Sequence, residues 1–271
     1  MKRIDIEKLP ANWHELTLPQ IYAVSKLFIN NSGAKDFTVR CLMAFTGWKL
    51  LRKKEVTEFV PETSEGTQIP EGPYIFKTWF WFRAPGEGKF LVDAEIYSDL
   101  VKSLEWLVTE IKLIHILPQL GQLDPVDVRL YEVTLDEYLF LDAAFSAYVQ
   151  TKRIKYLNRM LAIVYRKKNE TWNSSILDKK TRWFWLIPFY KKYVIFLWYV
   201  GLKSFLKDQY PFVWQNSGSG EMSHAQMILN LLSSLNNGDV TKNKELFKTH
   251  VHEAFYELNL KAEQAVKLKN K

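Results

Sequence analysis

Apolar residues recur every three or four positions in two similar segments of the chain, which is the spacing of one face of an α-helix. The first segment begins at 15–20 (ELTLPQ) and the second at 132–137 (EVTLDE). The two apolar stripes consist of Ile21, Val24, Leu27 and Phe28 in the first copy, and of Tyr138, Leu141, Phe145 and Tyr148 in the second. Each segment therefore predicts an amphipathic helix.

Both segments also carry a complete signal for the start of a helix. The signal is a capping box, in which a Thr and a Gln or Glu three positions later exchange hydrogen bonds: Thr17 with Gln20, and Thr134 with Glu137. A break and a second apolar helix follow each copy, the first over about 36–48 and the second ending near residue 165. The duplication predicts two related helical hairpins, each of which must pack on its twin or on its neighbours.

Between the two hairpins the pattern changes to that of β-strands. Residues 74–82 are rich in aromatic side chains, 84–88 carry turn residues, and 89–92 can return as a second strand. We therefore predict one β-hairpin, preceded by an exposed loop over 61–73.

The rings of the first predicted strand alternate between its two sides. Successive residues of a strand point to opposite faces, so Trp79 and Trp81 share one side while Phe80 and Phe82 share the other. A two-stranded hairpin is marginal in water by itself. We expect one side to face a core, and the other side, which remains apolar, to need a partner.

Further helices are predicted by the apolar pattern in the rest of the chain. One runs from Ile96 to Leu117, and a long apolar helix runs from Trp183 to Leu206. A linker over 215–220 then precedes a C-terminal pair of helices that begin at 223 and near 241.

The long apolar helix is also the candidate for a membrane span. Pro188, Lys191 and Lys192 interrupt it, and the uncharged run over 193–202 is only half of the ~20 residues that a span needs. A pair of charges near the middle of a span is costly. We therefore expect a buried helix and no membrane partner.

These patterns define a mainly α fold with two related helical hairpins, a long apolar helix, one inserted β-hairpin and a C-terminal helix pair. The 271 residues can form one large domain or two small ones. The predicted segments are 1–60 for the first hairpin repeat, 61–130 for the β-hairpin and a connecting helix, 131–214 for the second repeat and the long apolar helix, and 215–271 for the linker and the C-terminal pair.

The charge of the chain favours an acidic partner only weakly. The formal net charge is +7, but charged residues make up an ordinary 25%, and Lys and Arg are spread along the chain. The densest basic stretch surrounds Trp172 and consists of Arg166, Lys167, Lys168, Lys179, Lys180 and Arg182. Basic groups interleaved with rings can track a nucleic-acid backbone and stack on bases, whereas a solvated loop beside core tryptophans has the same sequence.

The sequence contains no catalytic or metal-binding constellation that we recognise. Cys41 is the single cysteine, so neither an internal disulfide nor a cysteine metal cluster can form. His250 and His252 are two positions apart and point to different sides of a helix, and His115 lies within a predicted apolar helix. Residues 217–221 contain two glycines, but they lack the third glycine of a dinucleotide-binding loop and the Lys-Ser/Thr ending of a phosphate-binding loop. We expect no enzymatic activity, no cofactor and no metal.

Several segments resemble proteins of bacteriophages. Residues 9–17 (LPANWHELT) and 131–138 (YEVTLDEY), with 235–242 and 254–262 near the end, are similar to small helical proteins from the tail and head–tail morphogenesis genes of phages that infect Bacteroidetes. Some members of that group are regarded as tail-assembly chaperones. The resemblance implies other virion or tail proteins as partners, a location in the host cytoplasm or the virion, and no catalytic residues. The β-hairpin has no counterpart in it.

We therefore expect a non-enzymatic protein of virion morphogenesis that acts by protein–protein contact. The mechanism that we favour is capture of an apolar segment by a helix in a groove. The predicted contact residues are Trp79 and Trp81 of the hairpin and Phe255 on the last helix. A homo-oligomer is a further expectation, and nucleic-acid binding through 166–185 is the alternative function.

Overall fold

A computed structural model describes residues 9–30, 34–59, 74–86, 88–215, 232–236 and 238–269 of the chain. The fold is mainly α, as the sequence predicts, with a small three-stranded antiparallel sheet and a short strand pair among the described residues. The chain divides into two compact units, Met1–Glu110 and Ile111–Lys271. The two predicted helical hairpins therefore fall in different units.

The first unit combines helices with the sheet. Its elements are α1 (Leu18–Ile29), α2 (Ala34–Thr46), β1 (Lys49–Phe59), β2 (Tyr74–Ala84), β3 (Gly88–Asp93), α3 (Ala94–Lys102) and α4 (Trp106–Thr109). The predicted capping box starts α1, because the Gln20 side chain accepts from the Thr17 backbone N–H at 2.9 Å. Phe28 of α1 meets Phe37 of α2, with ring centroids 4.4 Å apart.

The predicted β-hairpin is present as β2 and β3, but a further strand joins it. β1 pairs antiparallel with β2 over its whole length, so the strand order is β1-β2-β3. Its sequence, KLLRKKEVTEF, is strongly charged and lacks a clean alternation, so no strand was predicted there. The prediction of a two-stranded hairpin was therefore incomplete. The predicted loop over 61–73 lies outside the described residues.

One face of the sheet forms a core of rings. Phe82 is fully buried, and its ring lies 5.6 Å from that of Tyr97 on α3 and 5.5 Å from that of Trp48. Phe80 also meets Tyr97, with centroids 4.8 Å apart. Helix α3 thus covers the side of β2 that carries Phe80 and Phe82, which leaves Trp79 and Trp81 on the opposite side.

The long helix predicted from Ile96 to Leu117 was wrong beyond its first turns. α3 ends at Lys102, α4 is a single turn, and the residues from 110 to 118 have no helical structure. Within the second unit, Leu113 is fully buried and its backbone lies directly against Gly201. The apolar side chains in this segment are therefore buried by a tertiary contact rather than by a helix, and His115 is not helical either.

The second unit is helical in its described residues, with one short strand pair. Its elements are β4 (Asp124–Pro125), α5 (Leu135–Thr151), α6 (Ile154–Val164), β5 (Tyr165–Arg166), α7 (Leu177–Trp183), α8 (Phe189–Gln209), α9 (Pro211–Gln215), α10 (Asn243–Leu246) and α11 (Val251–Lys269). Helices α5 and α6 pack against each other, and α6 also contacts α7 and α8. One half of the predicted capping box is found at the start of α5, where the Thr134 side chain accepts from the Glu137 N–H, while the Glu137 carboxylate pairs with Arg166.

The predicted long apolar helix starts late because of a proline. α7 stops at Trp183, a short 3₁₀ turn covers Phe184–Leu186, and α8 begins only after Pro188. The residue before a proline is disfavoured in the helical conformation, and Ile187 accordingly has extended backbone angles. The prediction of one continuous helix from Trp183 was therefore wrong.

The C-terminal helix predicted from Thr241 is interrupted between α10 and α11. Phe247 and Thr249 accept hydrogen bonds from the N–H groups of Asp136 and Leu135, and Val251 donates to Val133. The backbone groups of this connection therefore form hydrogen bonds with the start of α5. In a continuous helix the same groups would bond within the helix. The predicted linker over 215–220 begins inside a helix, since Gln215 is the last residue of α9, and its remaining residues and the start of the helix predicted at 223 lie outside the described residues.

Cys41 provides a test of the core of the first unit. Its side chain is fully buried in α2, and burial raises the pKa of the thiol to about 12. Because the thiolate is the reactive form, we expect native protein to resist maleimide labelling at neutral pH and to label completely in urea. Mass spectrometry measures the labelled fraction. Labelling of the native protein as fast as that of a small thiol would contradict the burial.

Candidate binding surfaces

The structure places the predicted contact residues in different environments. Trp79 and Trp81 are half-buried on the side of the sheet that α3 does not cover. Phe255 of α11 is only 1% exposed, and its ring packs between those of Tyr138, 5.2 Å away, and Tyr210, 5.8 Å away. We therefore correct the assignment of Phe255: its apolar stripe faces the core of the second unit, and it is no contact surface.

Cations surround the two tryptophans of the sheet. In antiparallel strands, residues directly opposite each other share a face. Strand pairing therefore puts a set of exposed basic residues on the face of Trp79 and Trp81, here called the basic sheet face: Lys49, Arg52, Lys54, Lys77, Arg83 and Lys89. The Arg52 guanidinium lies 5.5 Å from the ring centroid of Trp81. Sequence reasoning found the rings but missed the cations, because they lie on three strands.

Internal bonds hold three residues of the predicted nucleic-acid stretch. Arg166 forms an ion pair with Glu137, and Lys180 pairs with Glu170 at 2.8 Å. The Trp172 indole N–H donates to an Asp136 carboxylate oxygen at 2.6 Å. Arg166, Lys180 and Trp172 thus brace the loop between α6 and α7 instead of facing solvent.

These three residues line one pocket of the second unit. The cavity volume of the pocket is about 10 Å³, which is roughly the space of one water molecule. Sites for small molecules usually occupy about 300–1,000 Å³. The pocket is therefore small for a substrate or a nucleobase, and its cations already face the carboxylates of Glu137 and Glu170.

The other cations of the stretch remain exposed. They are Lys167, Lys168, Lys179 and Arg182. The Lys167 ammonium lies 5.8 Å from the ring centroid of Trp183, within the reach of a cation–π contact. The part of the predicted stretch that is available to a ligand therefore consists of these four cations and the rings beside them.

Large apolar side chains protrude where α7 ends. The exposed fractions are 56% for Trp183, 68% for Trp185 and 91% for Leu186. We call these three residues, with the 3₁₀ turn that carries them, the tryptophan turn. Single exposed apolar residues are ordinary, but adjacent large ones mark interaction sites. The sequence placed Trp183 and Trp185 at the start of a buried helix, and only the break at Pro188 exposes them.

Two contacts hold the tryptophan turn in place, one through Phe184 and one through Lys192 of α8. Phe184 is buried inside the turn, with its ring centroid 6.5 Å from that of Tyr165. The Lys192 ammonium donates to the Trp185 carbonyl at 3.1 Å and lies 5.8 Å from the centroid of its ring. Burial lowers the pKa of Lys192. The exposed rings are therefore held on a structured element, which lowers the entropy that they lose on binding.

A buried polar group connects α5 to α8. The Tyr199 hydroxyl donates to Asp142 at 2.9 Å, and the Lys203 ammonium donates to the same oxygen at 3.0 Å. Burial raises the pKa of Tyr199 well above its ordinary value. A phenol, an ammonium and a carboxylate are the groups of many proton-transfer sites. Here Tyr199 and Asp142 are enclosed by packed side chains, so the group joins two helices.

Metal-ligand clusters and membrane-spanning helices are both absent from the described part of the chain. No group of three or more His, Cys, Asp or Glu side chains in them could hold a metal ion. None of the described helices combines the length and the hydropathy of a bilayer span. His252 is instead structural: its ring nitrogens lie 2.7 Å from the Tyr210 hydroxyl and 2.7 Å from the Arg129 carbonyl.

Comparisons of the chain with protein-family models, with curated proteins and with solved structures find no match. The function proposed below therefore depends on the surfaces described above and on the resemblance of the short segments.

Proposed function

We propose that the chain is a non-enzymatic protein that acts by protein–protein contact in the assembly of a bacteriophage tail or head–tail junction. The observation that carries this proposal is the tryptophan turn, where Trp183, Trp185 and Leu186 are 56%, 68% and 91% exposed. Trp is enriched among the residues that dominate the energy of protein interfaces. Burying such side chains contributes about 1.5–3 kcal/mol each before the costs of association are subtracted.

The shape of the turn favours a pocket on a protein partner. A short rigid turn that presents adjacent rings can insert as a knob, with the partner's apolar groove around it. In the mechanism expected from the sequence, this chain captures an apolar segment of the partner by a helix in a groove. Here the partner supplies the groove and this chain supplies the inserted side chains. The exposed cations beside the knob, Lys179 and Arg182, lie where the polar rim of such an interface would form.

The setting in virion assembly rests on the segments that resemble phage morphogenesis proteins. Of these segments, 9–17 ends at Thr17, the N-cap of α1, and 131–138 contains the start of α5. We propose further that the pairs α1–α2 and α5–α6 are related hairpins that arose by duplication. The matching N-caps Thr17 and Thr134, each followed by two packed helices, support this relation.

A charge placed on the tryptophan turn tests the proposal. Leu186→Asp is expected to leave the fold intact, because the side chain is exposed, and to weaken binding to the partner about 30-fold or more, because a carboxylate would be buried in an apolar groove. The measurement is co-purification of the tagged protein with tail and portal proteins encoded in the same gene cluster, followed by titration of the captured pair.

Leu268→Asp provides the matched control, since Leu268 is an exposed leucine of α11 in the same unit. It is expected to bind like the unaltered protein. Equal binding by both variants would remove the tryptophan turn from the interface. Capture of no virion protein by the unaltered chain would contradict the proposed function itself.

Nucleic-acid binding through the stretch from 166 to 185 is the second candidate function. The observation that favours it is the group of exposed cations around Trp183: Lys167, Lys168, Lys179 and Arg182. Salt distinguishes the two functions, because counterion release makes nucleic-acid binding fall steeply as salt rises, whereas an apolar contact persists. A steep salt slope together with no virion partner would favour this candidate over the first.

A further inference from the structure

We propose that the basic sheet face of the first unit is a binding surface for single-stranded nucleic acid, with Trp79 and Trp81 stacking on bases and the surrounding cations contacting phosphates. This surface consists only of residues from β1, β2 and β3. It shares no residue with the tryptophan turn or with the stretch from 166 to 185, so it adds a function to the one proposed above.

The strand register arranges the face in three rows. In the first row Lys54 and Asp93 flank Trp79, and in the second row Arg52 and Leu91 flank Trp81. The third row contains three cations, with Lys49 and Lys89 on either side of Arg83. Neighbouring strands lie only about 4.8 Å apart, so charged and aromatic groups alternate over a short distance.

The third row indicates that an anion belongs on this face. Like charges directly opposite each other in a sheet are destabilising. Within the described residues, no ion pair neutralises Lys49, Arg52, Lys54, Arg83 or Lys89. The other side of β1 behaves differently, since Lys53 there pairs with Glu55 at 2.7 Å. A polyanion laid across the three rows would relieve the repulsion that the free protein carries.

The two tryptophans indicate which kind of polyanion fits the basic sheet face. Their side chains are half-buried, so they offer apolar surface without protruding as the tryptophan turn does. Residues two apart on a strand are about 6.6 Å apart and lie on one face, which suits successive unpaired bases. A duplex hides the faces of its bases, and an anionic membrane favours side chains that reach into the lipid. A single strand therefore fits the combination best.

Arg52 strengthens this assignment. Its guanidinium already lies over the ring of Trp81, at 5.5 Å from the centroid. Arginine can contact a phosphate and stack on a ring at the same time, and such cation–π contacts add to single-strand binding. Asp93 is the one carboxylate of the three rows, and it accepts from the Glu95 N–H as the N-cap of α3.

The test uses the full-length protein and fluorescently labelled oligothymidylate and oligouridylate of about 16 nucleotides. Lys54→Gln/Lys89→Gln removes two charges from the face, and Lys53→Gln/Lys102→Gln removes two charges from elsewhere in the same unit. We expect the first pair to lower the slope of log affinity against log salt by about 0.7 per lysine, and the control pair to leave the slope unchanged.

A ring substitution tests stacking separately. Trp79→Leu keeps an apolar side chain and Trp79→Tyr keeps a ring. We expect Trp79→Leu to weaken binding about 5- to 150-fold, and Trp79→Tyr to restore most of the affinity. The thermal unfolding midpoints of the variants show whether each one is folded.

Several results would overturn the inference. One is the absence of binding to either oligonucleotide at low salt, and another is an equal loss in both charge variants. Loss in Lys168→Gln/Lys179→Gln but not in Lys54→Gln/Lys89→Gln would move the site to the second unit. Binding to vesicles with anionic lipid, but not to oligonucleotides, would make the face a membrane surface. None of these results depends on whether Leu186→Asp loses a virion partner, so the two proposals fail separately.

Discussion

Gly201→Ala is expected to destabilise the protein by about 2–3 kcal/mol, although alanine is the better helix former by about 1 kcal/mol. Gly201 lies within α8 and is buried. A Cβ atom there would lie 2.7 Å from the backbone nitrogen of Leu113 and 3.2 Å from the carbonyl oxygens of Ile111 and Leu113. Backbone atoms cannot rotate away as a side chain does, so the helix and the segment must separate.

Urea denaturation of Gly201→Ala and of the unaltered protein measures this effect as a change in the free energy of unfolding. Lys207→Ala is the control, because Lys207 is exposed on the same helix and its replacement is expected to change stability by less than about 0.5 kcal/mol. Equal or greater stability of Gly201→Ala would show that α8 and the segment around Leu113 do not pack as described.

Arg166→Met is expected to destabilise the protein by about 3 kcal/mol, because it leaves the carboxylate of Glu137 buried without its cation. Glu137 is almost completely buried, whereas the Arg166 side chain is 18% exposed, which places the cost at the lower end of the range for broken buried pairs. Removing the charge of residue 137 as well should recover much of the lost stability, because no unpaired carboxylate is then buried. The double variant Glu137→Gln/Arg166→Met is therefore expected to be more stable than Arg166→Met alone.

The cost of Arg166→Met should depend on pH. Burial raises the pKa of Glu137 above its ordinary 4.5, while the charge and the hydrogen bond of Arg166 lower it. Without Arg166 the folded-state pKa rises further, so the folded protein holds a proton that the unfolded chain releases above pH 4.5. The stability difference between the unaltered protein and the variant is therefore expected to be smallest in acid and to grow as pH rises through the folded-state pKa of Glu137 in the unaltered protein, which lies above 4.5.

Denaturation curves collected from acid to neutral pH measure this trend. Lys168→Met serves as the control, because Lys168 is exposed beside Arg166 and its loss should change stability by no more than about 0.5 kcal/mol at any pH. A pH-independent cost for Arg166→Met, or a cost as small as that of Lys168→Met, would refute the structural role of the ion pair. The test also separates Arg166 from the exposed cations that remain candidates for nucleic-acid binding.

The sequence predicted those elements that depend on near neighbours. The caps Thr17 and Thr134 act on backbone N–H groups three residues away, and both helices begin where these caps predict. The strand pair β2 and β3 is joined by a short turn, so its register also follows from local chemistry. The alternation of Trp79 and Phe80 needs only the geometry of one strand.

Predictions that needed distant partners were less successful. The apolar residues of the segment around Leu113 have helical spacing, but the segment forms no helix and packs its backbone against Gly201 of α8. Phe255 lies on an apolar stripe that could equally face a partner or a core, and only the packing of Tyr138 and Tyr210 decides for the core. The charged strand β1 carries no clear period, and it becomes a strand because β2 offers a free edge.

The sequence by itself therefore determined the mainly α character, the starts of α1 and α5 and the β-hairpin, because caps and turns act over only a few residues. Only the tertiary structure decided which charges and rings are available. It pairs Arg166 with Glu137 across 29 positions, exposes Trp185 after the helix break, and brings Lys49 and Lys89 beside Arg83. The physical reason is that exposure and neutralisation depend on groups far apart in the chain, which no local pattern records.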